Sequence, residues 1–295
     1  MFNIMRNTKK IALIPIVIVI VGIVCLFING GFATDIDFSG GTMMQINMGK
    51  DFKLDDVTAV IKESTGKEVN VIQYAEDSSA KHQVLFKMET LSKTERDKLF
   101  EAIKTKFSLD DKALLASDNI TPLVSSEIIY NALLAVAIAV ILILIYITIR
   151  FTFASGVAAV CALIHDVLVM LSFYAIFRVP TNASFIAALL TIIGYSINDT
   201  IVIFDRVREN KKFAKKGEGF IDTCEKSIWQ TMRRTLNTSG TTLLSLIVLT
   251  VLGSDSIREF SIPLIVGVIT GTFSSAFIAA PIWALMEGGY KKKKA

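Results

Sequence analysis

Cysteine is scarce in this 295-residue chain, three in all, and histidine is scarcer, with two. Cys25 and Cys161 fall in apolar runs and Cys224 in a charged stretch; none lies between residues 29 and 126. That segment must therefore fold without a disulfide, even in a compartment that permits one. Two histidines, His82 and His165, are too few for a histidine-rich metal cluster, so no metal and no cofactor is expected. No phosphate-cradling glycine loop and no nucleophile–base arrangement occurs, so the chain is not expected to be an enzyme. Nothing in it points to nucleic acid. Charge is also sparse: 20% of residues are charged against 52% hydrophobic, outside the range of an ordinary soluble domain.

What fills the chain is hydrocarbon. Six nearly uncharged runs cover Ile11–Ile28, Ile128–Ile149, Phe151–Phe177, Val179–Phe204, Thr235–Ser254 and Phe260–Met286. Each approaches the ~20 residues needed to cross ~30 Å of bilayer core, which predicts six transmembrane helices. Charge divides between the connections. Residues 29–126 carry 12 Lys/Arg and 16 Asp/Glu, whereas the loop 205–234 carries 9 Lys/Arg and 5 Asp/Glu. Arg6, Lys9 and Lys10 precede the first run, and Lys291 to Lys294 follow the last. The positive-inside rule then puts both termini and the 205–234 loop in the cytoplasm and the large segment outside. The first run, longer than a signal-peptide core and without a small-x-small cleavage site, reads as an uncleaved anchor. The four lysines of the tail are most simply a topology anchor, and they can also touch anionic membrane lipid.

Three parts follow: residues 1–41 (tail, first span, junction), 42–120 (an external domain) and 121–295 (spans two to six, with the basic tail). In the external segment, Thr42–Met48 alternates as a strand. Leu54, Val57, Val60 and Ile61 mark a helical face that stops near Gly66. Val69–Tyr74 and His82–Met88 are strand signals. Ser92 and Glu95 form a capping box ahead of Leu99, Phe100 and Ile103, and a weak strand falls between Lys112 and Ser117. The order βαββαβ is the split βαβ, ferredoxin-like pattern.

Polar residues inside the spans carry the functional signal, because a charge near mid-membrane costs ~3 kcal/mol or more. Asp166 lies in the third run beside His165. Asp199 lies in the fourth beside Asn198 and Thr200, with Ser196 less than a turn away. These make a polar strip suited to face neighbouring helices. A carboxylate there can load a proton when dry and release it when hydrated, making it a candidate proton carrier; it can equally be a polar clamp between helices. For Asp166 the clamp is the favoured reading. Arg233 and Arg234 precede the fifth span, where an arginine can pair with a span-four carboxylate or simply anchor the helix. Thr235, Asn237, Thr238, Ser239, Thr241 and Thr242 make that span's start hydroxyl-rich. Gly267 and Gly271 suit close helix packing in span six.

Four stretches resemble the SecF family, the smaller half of the bacterial SecD–SecF protein-export pair. They are "DIDFSGGT" (Asp35–Thr42), "ALIHDVLV" (Ala162–Val169), "GYSINDTIVIFDRVREN" (Gly194–Asn210) and "TMRRTLNTSGTTLL" (Thr231–Leu244). Trp229 departs from the family, which often has asparagine there, and Thr34 stands where glycine is common. The resemblance implies an RND-like half of six transmembrane helices with a small extracytoplasmic α+β domain. It places the chain in the bacterial cytoplasmic membrane. It implies partnership with SecD, the SecYEG channel with SecA, YajC and the translocating preprotein, and use of proton or sodium movement to promote export. By residue, it implies an ion relay of Asp199, Arg234 and Asp166; a gating or structural role for Asp205 and Arg206; and a junction motif of Asp37, Phe38, Gly40 and Gly41. The rival expectations are a non-transporting subunit that stabilises SecD, or an independent RND-type small-molecule exporter. The exporter fits poorly with six spans and so small an external domain.

Overall fold

The computed structural model describes residues 3–74, 82–214 and 218–287. The four lysines of the tail, and Lys215 and Lys216 of the basic loop, lie outside them. In chain order the elements are α1 (Ile4–Ile28), α2 (Ile36–Ser39), β1 (Gly41–Asn47), α3 (Leu54–Thr65), β2 (Val69–Tyr74), β3 (Gln83–Met88), α4 (Lys93–Phe107) and β4 (Leu114–Ile120). They continue with α5 (Pro122–Arg150), α6 (Phe153–Phe177), α7 (Ala183–Lys212), α8 (Phe220–Leu252), α9 (Asp255–Ser274) and α10 (Ala280–Met286), the last two joined by a π-helical turn at Ser275–Ala279.

The small domain is a four-stranded antiparallel sheet of order β2-β3-β1-β4 with α3 and α4 on one face. Alternation decides which face is covered. Met44 and Ile46 of β1 and Val84, Phe86 and Met88 of β3 point into the core, where they meet Val57, Val60 and Ile61 of α3 and Leu99 and Ile103 of α4. Gly66, at φ 68°, ends α3 in the left-handed conformation open to glycine. Ser92 Oγ accepts from the Glu95 amide and Glu95 Oε2 from the Ser92 amide, closing the capping box of α4. The expected βαββαβ order is the observed one.

Among the described residues, six helices are long and apolar enough to cross a membrane, the sixth continuing through the π turn to Met286. Among the described residues, the connection between the first and second spans is the one that carries a domain. The central helices α6, α7 and α9 are the most buried, while α1, α5 and the second half of α8 expose large side chains such as Ile20, Leu133, Ile149, Leu244 and Leu252. So broad an apolar surface is untenable in water and natural in lipid. The helices outrun the apolar runs. The charged stretch read as a 30-residue loop, 205–234, is mostly helix: α7 continues to Lys212 and α8 begins at Phe220. Lysine, glutamate and arginine are good helix formers, and the two arms are pinned by Arg206 Nε to Gln230 Oε1 (2.7 Å) and Asn210 Nδ2 to Ser227 Oγ (2.8 Å). At that same end, Glu225 accepts from the first free amides of α1, Ile4 N (3.0 Å) and Met5 N (2.8 Å), and from the indole of Trp229 (2.8 Å). A carboxylate at a helix N-terminus satisfies orphan donors and complements the dipole.

Candidate functional site: two buried carboxylates and a junction

Close packing brings the polar groups together. The two glycines of α9 face α7: a side chain at Gly267 would strike Ile192, and one at Gly271 would come within 2.9 Å of the Ser196 Cβ. The helices therefore approach closely enough for hydroxyls on one to reach polar atoms on the other.

Asp166 of α6 is fully buried and thoroughly bonded. Its Oδ2 accepts from Ser196 Oγ of α7 (2.6 Å) and Ser274 Oγ of α9 (2.9 Å), and its Oδ1 lies 3.0 Å from Nδ1 of His165. It ties three helices at one point. His165 stacks on Phe273, its ring 6.0 Å away. Beside this node, Thr200 Oγ1 and Ser275 Oγ lie 2.9 Å apart, at the start of the π turn.

Asp199 of α7 is buried as well but sparsely held. Its Oδ2 receives one long contact, from Ser239 Oγ of α8 at 3.4 Å. Ser239 in turn lies 2.6 Å from Thr272 Oγ1 of α9, and the Tyr195 hydroxyl is 3.3 Å from Thr242 Oγ1. The two carboxylates thus face different sides of α7's contact with α9, one held by two hydroxyl donors and a histidine nitrogen and one beside a chain of hydroxyls.

The expected polar strip on α7 is two faces. Ser196, Asp199 and Thr200 are buried, whereas Asn198 is exposed on the chain's surface in line with Thr191 and Gly194. The cause is helical phase: Asn198 sits 100° from Asp199, and the polar residues straddle the helix. Arg234 is exposed on α8; among the described residues no direct ion pair joins it to Asp199, but its charge acts on that carboxylate through space. Asp205 pairs with Arg150 at the end of α5 (3.6 Å), and Arg206 bonds Gln230 and Glu209, so both bind helix ends together on the side opposite the domain.

The junction motif gathers at the domain side. Asp35 caps α2 through the Ile36 amide (2.8 Å) and pairs with Lys87 of β3, the two side chains only 3% and 13% exposed. Gly40 adopts φ 76°, and a side chain at Gly41 would come within 2.6 Å of the Met88 carbonyl, so neither tolerates a Cβ. Phe38 is half-buried. Asp37 reaches outward: its Oδ2 accepts from the Ala183 amide, the first of α7, at 2.9 Å. Ser239 stood among the hydroxyls of span five, but Ser274, Ser275, Thr272 and Glu225 were missed. The "GTFSS" stretch of span six was the available signal for the first three. Among the described residues no group of three or more His, Cys, Asp or Glu could hold a metal ion.

A six-helix polytopic membrane protein, with a ferredoxin-like domain inserted after the first helix and carboxylates buried between the central ones, is the class these features define. The model of the family "Protein export membrane protein SecD/SecF, C-terminal" matches residues 100–289. The chain is 35% identical over 268 residues to the protein translocase subunit SecF of Sebaldella termitidis, covering 90% of this chain and 85% of that one. It is 32% identical over 294 residues to SecF of Alicyclobacillus acidocaldarius, covering 99% and 95%. A crystal structure of SecDF from Thermus thermophilus, a translocon-associated membrane protein, superposes with a TM-score of 0.79 at 32% identity. The match takes in 97% of this chain and 39% of that longer one. The chain belongs to the SecD/SecF protein export membrane protein family.

Proposed function

We propose that this chain acts as the SecF subunit of a protein translocase accessory complex. With a SecD-type partner it uses proton or sodium movement through the membrane domain to promote export of preproteins through the SecYEG channel. Both termini and the α7–α8 arms face the cytoplasm and the α+β domain faces outward. The observation that carries the reading is Asp199: a buried carboxylate with one 3.4 Å contact, beside the hydroxyls of Ser239 and Thr272. A carboxylate kept only to fasten helices would be bonded like Asp166. Asp166 is assigned to the clamp and Asp199 to ion handling, with Arg234 a turn and a half from Ser239 toward the cytoplasm. The exposed Thr191, Gly194 and Asn198 supply polar and small groups at a lipid-level surface, which suits a SecD helix better than acyl chains. SecA and YajC enter only as companions of that assembly.

Replacing Asp199 by Asn in cells that depend on this chain tests the assignment. Export is expected to fall while SecD still co-purifies. Unimpaired export, or loss of SecD association alone, would favour the non-transporting assembly subunit instead.

A further inference from the structure

The contacts at the junction form a mechanical linkage between the α+β domain and the helix that carries Asp199. α7 starts with an internal cap, Asn182 Oδ1 accepting from the Phe185 amide at 3.0 Å. It therefore needs no outside help to begin. Asp37 nevertheless arrives from 146 residues away and takes the Ala183 amide at 2.9 Å. The backbone on either side is tied too. Asp35 N donates to the Thr181 carbonyl (3.0 Å), Thr181 N donates to the Ala33 carbonyl (2.8 Å), and Thr34 and Thr181 form a parallel bridge. Arg178 adds bonds to the carbonyls of Asn29 and Gly31, both at 3.2 Å. On its other side the junction is fastened to the sheet, through the Asp35–Lys87 pair and through Gly41, which opens β1.

We infer that Asp37 is a positioning residue that transmits axial movement of α7 to the external domain. The inference rests on the reading of Asp199 as the ion-handling group and goes beyond it by naming the transmission. Asp199 lies 16 residues beyond Ala183, about 24 Å along a helix rising 1.5 Å per residue. A continuous helix carries displacement over that distance as a rigid element. At its first residue Asp37 takes the Ala183 amide, while the Asn182 side chain donates to Glu259 of α9 (2.7 Å). Movement of the Asp199 region thereby reaches the base of the sheet without passing through any of the other spans.

The test uses the full chain with its SecD-type partner in inverted membrane vesicles, reading ion flux and gradient-stimulated preprotein translocation separately. Asp37→Ala removes the acceptor; Asp37→Asn keeps a carbonyl oxygen in its place. The expected result for Asp37→Ala is translocation lowered by about tenfold, the factor of one 1.4 kcal/mol contact, with ion flux close to that of the unaltered chain. Asp37→Asn is expected to retain both. A disulfide between cysteines placed at Thr34 and Thr181, adjacent across the bridge, is expected to restore translocation to Asp37→Ala and to lose that effect on reduction. Unchanged translocation in Asp37→Ala, equal damage in the Asn variant, parallel loss of flux, or no rescue by the cross-link would each overturn the linkage. Asp199→Asn in the same vesicles separates the two ideas: intact flux there sinks the ion-handling reading, whatever Asp37 does.

Discussion

Removing the ammonium of Lys87 isolates the energetics of the junction. Lys87 sits on β3 with its side chain 13% exposed, and Asp35, its partner, is 3% exposed. The Asp35 carboxylate divides its work: Oδ1 caps the Ile36 amide and Oδ2 meets Lys87. Lys87→Ala leaves that carboxylate buried with one amide for company. Breaking a buried pair from one side typically costs ~3–5 kcal/mol, because the survivor keeps its desolvation penalty and loses its compensation. The slight exposure of Lys87 admits some water, so ~3 kcal/mol is the better figure for this pair. Replacing both members, as Asp35→Asn with Lys87→Met, removes the charges together, keeps a side-chain oxygen for Ile36, and is expected to cost ~1 kcal/mol or less. The assay is denaturant-dependent proteolysis of the purified full chain in detergent, following cleavage within residues 41–120. The single variant should open at distinctly lower denaturant than the double. If Lys87→Ala is as resistant as the unaltered chain, or the double variant is the weaker, the pair is not the fastening described here.

Asp166→Ala takes the acceptor from Ser196 and Ser274 together; at ~0.6–1.7 kcal/mol per interhelical bond it should lower bundle stability by ~1–3 kcal/mol, measured by unfolding in mixed micelles. Asp166→Asn should lose less than half of that and retain ion-stimulated export. Gly267→Val drives a side chain into Ile192 and should cost ~1–3 kcal/mol in the same assay. Glu225→Ala strips two amides of α1 of their acceptor and should speed hydrogen exchange at Ile4 and Met5, with α5 unaffected. The Ser92 hydroxyl and amide hold Glu95 below the usual glutamate range. A carboxylate depressed by folding stabilises above its unfolded pKa and loses that contribution as pH falls through the folded one. Exchange protection of the first turn of α4 should accordingly fall with acidification, and Glu95→Gln should abolish that dependence.

Much of this architecture could be read from residue pattern because its causes are local. Apolar runs of bilayer length mark the six helices, period-two alternation marks β1 and β3, and Ser92 with Glu95 marks the start of α4. The buried carboxylates stood out because lipid makes charge conspicuous. Legibility failed wherever the cause is distant or unmarked by composition. The charged arms of α7 and α8 looked like loop because hydropathy ends at the membrane, whereas helix propensity does not. Asn198 was grouped with Asp199 by adjacency, although one residue of helix turns it through 100°. Ser274 and Ser275 lie in a span whose conspicuous small residues are Gly267 and Gly271, and nothing local announces a π turn. That Asp37 meets Ala183, or Glu225 meets Ile4, depends on assembly of the whole bundle.

The most direct test of the central claim is ion flux in vesicles containing the chain and its SecD-type partner, comparing Asp199→Asn with Asp166→Asn under an imposed proton gradient and, separately, a sodium gradient. Flux driven by one of the two gradients should vanish in Asp199→Asn and persist in Asp166→Asn. Undiminished flux through Asp199→Asn, or loss confined to Asp166→Asn, would contradict the assignment of the two carboxylates.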